Sequence, residues 1–161
     1  MKTLSWLFAR LLDLAIALPI ATLMILTNWA VFQRYGLNRP LQFVEEVSGL
    51  LLIWMVMLGA IAAERDNRHL SISFIADAMP RLLQNLVRVL IGLASIGLAL
   101  YMAKLGWDLT QSVQRRATNI LGISFYWIYI ALPVGFVGMA IFMALTLLRD
   151  LRALFDRGDE A

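Results

Sequence analysis

The sequence predicts an all-α integral membrane protein with four transmembrane helices, and three observations support this. Apolar residues make up 61% of the 161 residues and charged residues only 16%, whereas soluble domains average about 25% charged residues. The apolar residues form long uninterrupted blocks, which is typical of membrane spans. Four of these blocks approach the ~20 residues that a helix needs to cross a bilayer. Because only short connections remain, we expect a single membrane domain over residues 1–161.

The positions of the charged residues set the four predicted spans. The only charged residue in the first block is Asp13. Because Asp13 would interrupt the apolar region of a cleaved signal peptide, we predict a retained helix. The second block reaches spanning length once Phe43 and Val44 are included. The third has an uncharged centre and the fourth has no charge. Within the fourth, Pro133 predicts a kink because proline leaves a backbone carbonyl without its partner. The predicted spans are residues 7–32, 43–63, 82–109 and 120–148.

The connections between the spans also have recognisable patterns. Gly36 and Pro40 mark a tight turn after the first span. After the second span, "LSISFIADAMP" (residues 70–80) is apolar on one side and too short to cross the membrane. We predict that it forms a short amphipathic interfacial segment between helices 2 and 3.

Basic residues predict the orientation of the spans. With four spans, both termini and the central connection share one side, and that side carries nine of the 14 lysines and arginines. Cytoplasmic connections are enriched in these residues. We therefore predict that both termini are cytoplasmic.

Polar residues near the span ends are candidates for structural contacts. Arg34 ends the first span, and Glu45 and Glu46 begin the second on the same side of the membrane. We predict that Arg34 pairs with one of the two carboxylates and locks the hairpin. Alternatively, the glutamates could gate or bind an ion. We favour the lock because the centre of every span is free of charge.

The residue inventory disfavours several kinds of site. With no cysteine, disulfides, thiolate catalysis and iron–sulfur clusters are excluded. His69 is the single histidine and lacks the companion ligands of a metal site, so we expect a surface or helix-capping role. No HExxH motif or serine–histidine–acid set is visible. We therefore predict that the chain is not an enzyme and has no catalytic, substrate-binding or metal site, no cofactor and no nucleic-acid partner.

The order of motifs resembles the small permease subunit (DctQ-type) of tripartite ATP-independent periplasmic (TRAP) transporters. In "VFQRYGLNRPLQFVEEVSGLLLIWMVMLGAIAAERDNRHLSI" the resemblance includes an Arg-aromatic turn, Asn-x-Pro, a Glu-Glu pair, a tryptophan, Leu-Gly-Ala and an Arg…His step. In addition, "YWIYIALPVGF" is similar to the last helix of that family. The chain departs from the family's usual Trp, Asp and Pro at Phe43, Ser73 and Ser124.

This resemblance implies one component of a three-part importer in the bacterial inner membrane. A periplasmic substrate-binding protein would capture an organic acid, and a large multi-spanning subunit would move it, typically with sodium. The small subunit would scaffold the large one among the membrane lipids. The candidate structural or interface residues are then Arg34, Glu45, Glu46, Trp54, His69, Pro133 and Gly135.

Two other functions remain open at this point. An autonomous homo-oligomeric small channel or exporter would need an acid within the membrane, and Asp13 is the candidate. A membrane enzyme subunit that carries haem or quinone is disfavoured by the single histidine.

Overall fold

Four long helices and one short helix make up the part of the chain that the structure, a computed structural model, describes: residues 2–66 and 81–158. They are α1 (Lys2–Gly36), α2 (Phe43–Arg65), α3 (Arg81–Ser112), α4 (Phe125–Tyr129) and α5 (Ala131–Gly158). Four stretches are long and apolar enough to cross a membrane, namely Arg10–Gly36, Phe43–Arg65, Val89–Ser112 and Phe125–Arg149. The predicted all-α class with four spans is thereby confirmed. The predicted interfacial segment (residues 70–80) and His69 lie outside the described residues.

The helices pack side by side, with α5 between α2 and α3 and with α1 against the far side of α2. Met57 of α2 faces Gly135 of α5, and Ile61 faces Gly138, so α2 and α5 run in the same direction. On the other side of α5, the facing pairs run in opposite order, since Gly92 of α3 meets Leu147 and Gly106 meets Pro133; α3 and α5 are therefore antiparallel.

The fourth span is broken near its start. Ser124 caps α4 by accepting a hydrogen bond from the Tyr126 N–H at 3.2 Å. The chain turns at Ile130, and Pro133 is the third residue of α5. Proline has no N–H to bond the carbonyl four residues earlier, which belongs to Tyr129, the last residue of α4. The turn lies nearer one end of the span than its middle, and the kink at Pro133 stays a prediction.

The fourth helical span begins at Phe125, five residues later than the apolar run that starts at Ile120. Residues 113–124 form a loop between α3 and α4 instead. We call these residues the α3–α4 loop. Hydropathy alone included its apolar residues in the span because nothing in their side chains marks them as loop residues.

Candidate functional site

The carboxylate of Glu46, in the first turn of α2, binds the α3–α4 loop. Its two oxygens accept hydrogen bonds from the backbone N–H groups of Ile120 and Leu121, each at 2.9 Å. The Thr118 hydroxyl and the Asn119 N–H also approach this carboxylate. Hydrogen bonds to an ionised carboxylate are stronger than those between neutral groups. Glu46 therefore ties the start of α2 to a loop more than 70 residues away in the chain.

The α3–α4 loop is itself held by internal hydrogen bonds. The Thr118 N–H donates to the Ile123 carbonyl at 2.8 Å, and the Ile123 N–H donates to the Thr118 hydroxyl at 3.0 Å. The Phe125 N–H donates to the Arg116 carbonyl at 3.0 Å. Gly122 has a φ of 64°, a conformation that glycine adopts without steric cost. These contacts order the loop and place the N–H groups of Ile120 and Leu121 at the Glu46 carboxylate.

The predicted Arg34 lock is wrong. Glu46 uses both of its oxygens on the α3–α4 loop, and within the described residues no ion pair joins Arg34 to Glu45 or Glu46. The Arg34 guanidinium lies over the Tyr35 ring instead, 5.9 Å from the ring centroid. Nearness along the hairpin suggested the pair, but the α3–α4 loop places two backbone N–H groups at the Glu46 carboxylate, and each of its oxygens accepts from one of them.

Trp54 links α2 to the short helix α4. Its indole N–H donates to the backbone carbonyl of Trp127 at 3.0 Å. This carbonyl lies close to the break in the fourth span, where the regular helical hydrogen bonds are interrupted. Glu46 and Trp54 therefore attach the same helix, α2, to the segment between α3 and α5 at two levels.

Gly135 lets α2 and α5 approach closely. A Cβ atom at this position would lie 2.6 Å from the Met57 sulfur and 2.8 Å from its Cβ, and at Gly138 a Cβ would lie 2.6 Å from Ile61 Cδ1. These distances are shorter than van der Waals contact, so only glycine fits here without a shift of the neighbours. Small residues bring membrane helices together in this way.

Asp13 pairs with Arg65 and joins α1 to the end of α2. The Arg65 Nη2 lies 3.1 Å from Asp13 Oδ1, and the Arg65 Nε lies 2.8 Å from Asp66 Oδ1. The sequence analysis did not propose this pair. The topology nevertheless gave a signal, because a four-span chain places both residues at the same end of the helices. Asp13, the acid that a channel would require, thus has a structural contact.

The contacts described above are hydrogen bonds, ion pairs and close helix packing. Among the residues that the structure describes, no group of three or more His, Cys, Asp or Glu side chains could hold a metal ion. The arrangement fixes α1, α2 and the α3–α4 loop relative to one another.

Comparisons with known proteins give three informative relatives. A sialic acid TRAP transporter small permease protein, SiaQ of Vibrio cholerae, is 34% identical over 131 residues, covering 77% of this chain and 72% of that protein. An ectoine TRAP transporter small permease protein, TeaB of Halomonas elongata, is 30% identical over 143 residues, covering 85% and 73%. A putative TRAP transporter small permease protein of Haemophilus influenzae is 31% identical over 80 residues. This chain therefore matches 50% of the length of that relative.

A longer relative matches as well. The sialic acid TRAP transporter permease protein SiaT of Haemophilus influenzae is 27% identical over 104 residues, which is 65% of this chain but 17% of SiaT. The family model for the DctQ component of tripartite ATP-independent periplasmic transporters matches residues 23–153. That match covers most of the four spans and every contact described above except the Asp13 pair. The chain is therefore a multi-pass membrane protein that belongs to the DctQ family of TRAP transporters.

Proposed function

We propose that this chain is the small subunit of a TRAP importer and that it scaffolds the large transport subunit without carrying substrate itself. The observation that supports this is the placement of charge. In the described spans, residues 14–33, 47–63, 89–103 and 125–148 contain no Asp, Glu, Lys or Arg. Ionisable groups inside the membrane commonly mark substrate and ion pathways.

The charges at the span ends support the same proposal. Asp13 is paired with Arg65, and Glu46 is bound to the α3–α4 loop. A carboxylate that fixes two elements of the fold is poorly suited to release them and accept an ion in each transport cycle.

The proposed partner is the large multi-spanning permease subunit. The match to SiaT covers 17% of that protein, so a segment similar to this chain is joined there to a much longer permease chain. Among the described side chains of α1, Leu12 alone is buried. Much apolar helix surface is thus left for contacts with a partner or with lipid.

We place substrate selectivity in the other components. Two relatives of similar identity are named for sialic acid and for ectoine, which supports a small subunit that does not choose the substrate. An organic acid as substrate, a periplasmic binding protein that captures it and sodium as the coupling ion are part of the proposal, on the strength of the family resemblance.

Reconstitution in liposomes tests the scaffold role. With binding protein and a sodium gradient, we expect no uptake by this chain alone, little by the large subunit alone and full uptake by both together. Uptake by this chain alone would overturn the scaffold proposal in favour of an autonomous channel or exporter. Full uptake by the large subunit alone would show that this chain is dispensable.

Single-cysteine labelling tests the proposed inner-membrane orientation, and the chain's lack of cysteine suits this method. With both termini in the cytoplasm, a membrane-impermeant maleimide added to intact spheroplasts should label Asn119→Cys in the α3–α4 loop. Asp159→Cys should react only after permeabilisation. The reverse labelling pattern would contradict the proposed orientation. That orientation rests on nine of the 14 lysines and arginines lying on the cytoplasmic side.

A further inference from the structure

An apolar groove of about 1030 Å³ runs along α5, beside α2. One face of α5 forms its floor, with Val134, Val137, Ile141 and Leu145 spaced three or four residues apart. These four side chains are 42–54% exposed within the chain. The other helices contribute Leu12 of α1, Leu58 and Ile61 of α2 and Trp107 of α3.

The polar side chains of the groove all lie at one end. Of its 15 lining residues, the three with polar side chains are Arg65, Thr146 and Arg149. Arg65 is the last residue of α2, and the other two lie one turn apart on α5. The remaining lining residues are apolar. The groove therefore matches a molecule with an apolar chain and a negatively charged head.

The two arginines differ in availability. Arg65 already contacts Asp13 and Asp66, although neither acid lines the groove. Arg149 is exposed and lies next to the apolar face of α5. Arg149 is therefore the anchor for an anionic group, since Asp13 and Asp66 offset the charge of Arg65.

The dimensions suit a lipid acyl chain. Val134 and Arg149 are 15 residues apart on α5, which corresponds to about 22 Å at 1.5 Å per residue. One leaflet of a bilayer has a hydrocarbon depth of about 15 Å. A chain that begins at the level of Arg149 can thus lie along the groove for the full depth of its leaflet.

We propose that the groove binds one anionic phospholipid, with its phosphate at Arg149 and one acyl chain along the face of α5 from Leu145 to Val134. Basic pockets between transmembrane helices bind anionic lipid head groups, and a guanidinium donates two parallel hydrogen bonds to a phosphate. A transmembrane helix in the same groove would place apolar side chains against the two arginines. This site lies apart from the Glu46 contact and does not depend on the scaffold proposal.

Native mass spectrometry of the purified full-length chain in mild detergent tests this site. Phosphatidylglycerol and phosphatidylcholine are added at equal concentration, and the lipid adducts are counted. We expect wild type to retain phosphatidylglycerol preferentially. Arg149→Gln should lower that retention about tenfold and remove the preference, whereas Val137→Trp should fill the groove and lower the retention of both lipids.

Two matched variants control for charge and bulk. Arg115→Gln removes a basic residue from the α3–α4 loop, at the opposite end of the helices, and Leu98→Trp enlarges a side chain on α3 that is 58% exposed and outside the groove. Both should retain phosphatidylglycerol as wild type does. Equal retention by all the variants would overturn the proposal. So would a dimer of this chain that Val137→Trp dissociates, or loss of the lipid when the large subunit is co-purified, because the groove would then be a protein interface.

Discussion

Replacing Gly135 by alanine is expected to destabilise the packing of α2 on α5 by about 1–3 kcal/mol, the usual range for an extra methyl group in a well-packed core. The added Cβ would lie 2.8 Å from Met57 Cβ. The methionine sulfur can move away because its side chain is flexible. Its Cβ moves only with the backbone of α2. One helix must therefore shift, and the contacts of Ile61 with Gly138 would loosen with it.

Unfolding by sodium dodecyl sulfate in mixed micelles, followed by tryptophan fluorescence, measures this loss. Gly59→Ala on α2 and Gly97→Ala on α3 are matched controls, because a Cβ at either position meets nothing within 4 Å. Both controls should be unchanged or more stable by up to about 1 kcal/mol, since alanine favours a helix over glycine. A Gly135→Ala protein as stable as these controls would contradict the close packing of α2 on α5.

The sequence predicts the four spans well because bilayer thickness and hydropathy constrain them strongly. Each block with a charge-free core of 15 or more residues became a spanning helix. The boundaries were less accurate where hydrogen bonding rather than hydropathy sets them. Ile120 and Leu121 are apolar, yet they lie in a loop, where their N–H groups donate to Glu46.

Small-residue spacing alone does not separate glycines at close helix contacts from glycines with space around them. Gly59 with Ala63 and Ala131 with Gly135 both show small residues four apart. In the structure Ala131 is fully buried and a Cβ at Gly135 would clash with Met57, whereas a Cβ at Gly59 would meet no neighbouring element within 4 Å. The difference depends on which face of each helix meets a neighbour. That requires the three-dimensional arrangement.

The contact between Glu46 and the α3–α4 loop could not be predicted from the sequence for a related reason. Arg34 is an obvious charged partner, but an ordered loop supplies Glu46 with backbone N–H groups that no side-chain pattern reports. The one local sign is Gly122, which follows Ile120 and Leu121 and permits the left-handed turn of the loop.

Replacing Glu46 by alanine is therefore expected to release the α3–α4 loop. The N–H groups of Ile120 and Leu121 would lose their acceptors, and backbone amides without a partner exchange their hydrogens faster. We expect hydrogen–deuterium exchange at these amides to accelerate about tenfold or more, because hydrogen bonds to a charged acceptor are the stronger kind. Glu46→Gln should have an intermediate effect, since its amide keeps one oxygen as an acceptor but turns an NH₂ group towards the other N–H.

Glu45 and Arg34 provide matched comparisons for this prediction. Glu45 has the same side chain as Glu46, is adjacent to it and is exposed, so Glu45→Ala should leave exchange in the loop unchanged. Arg34→Ala should do the same, because Arg34 is not the partner of Glu46. Faster exchange in Arg34→Ala but not in Glu46→Ala would restore the hairpin lock in place of the loop contact. If instead the loop opens in Glu46→Ala alone, the Glu46 carboxylate is the contact that holds the α3–α4 loop to the first turn of α2.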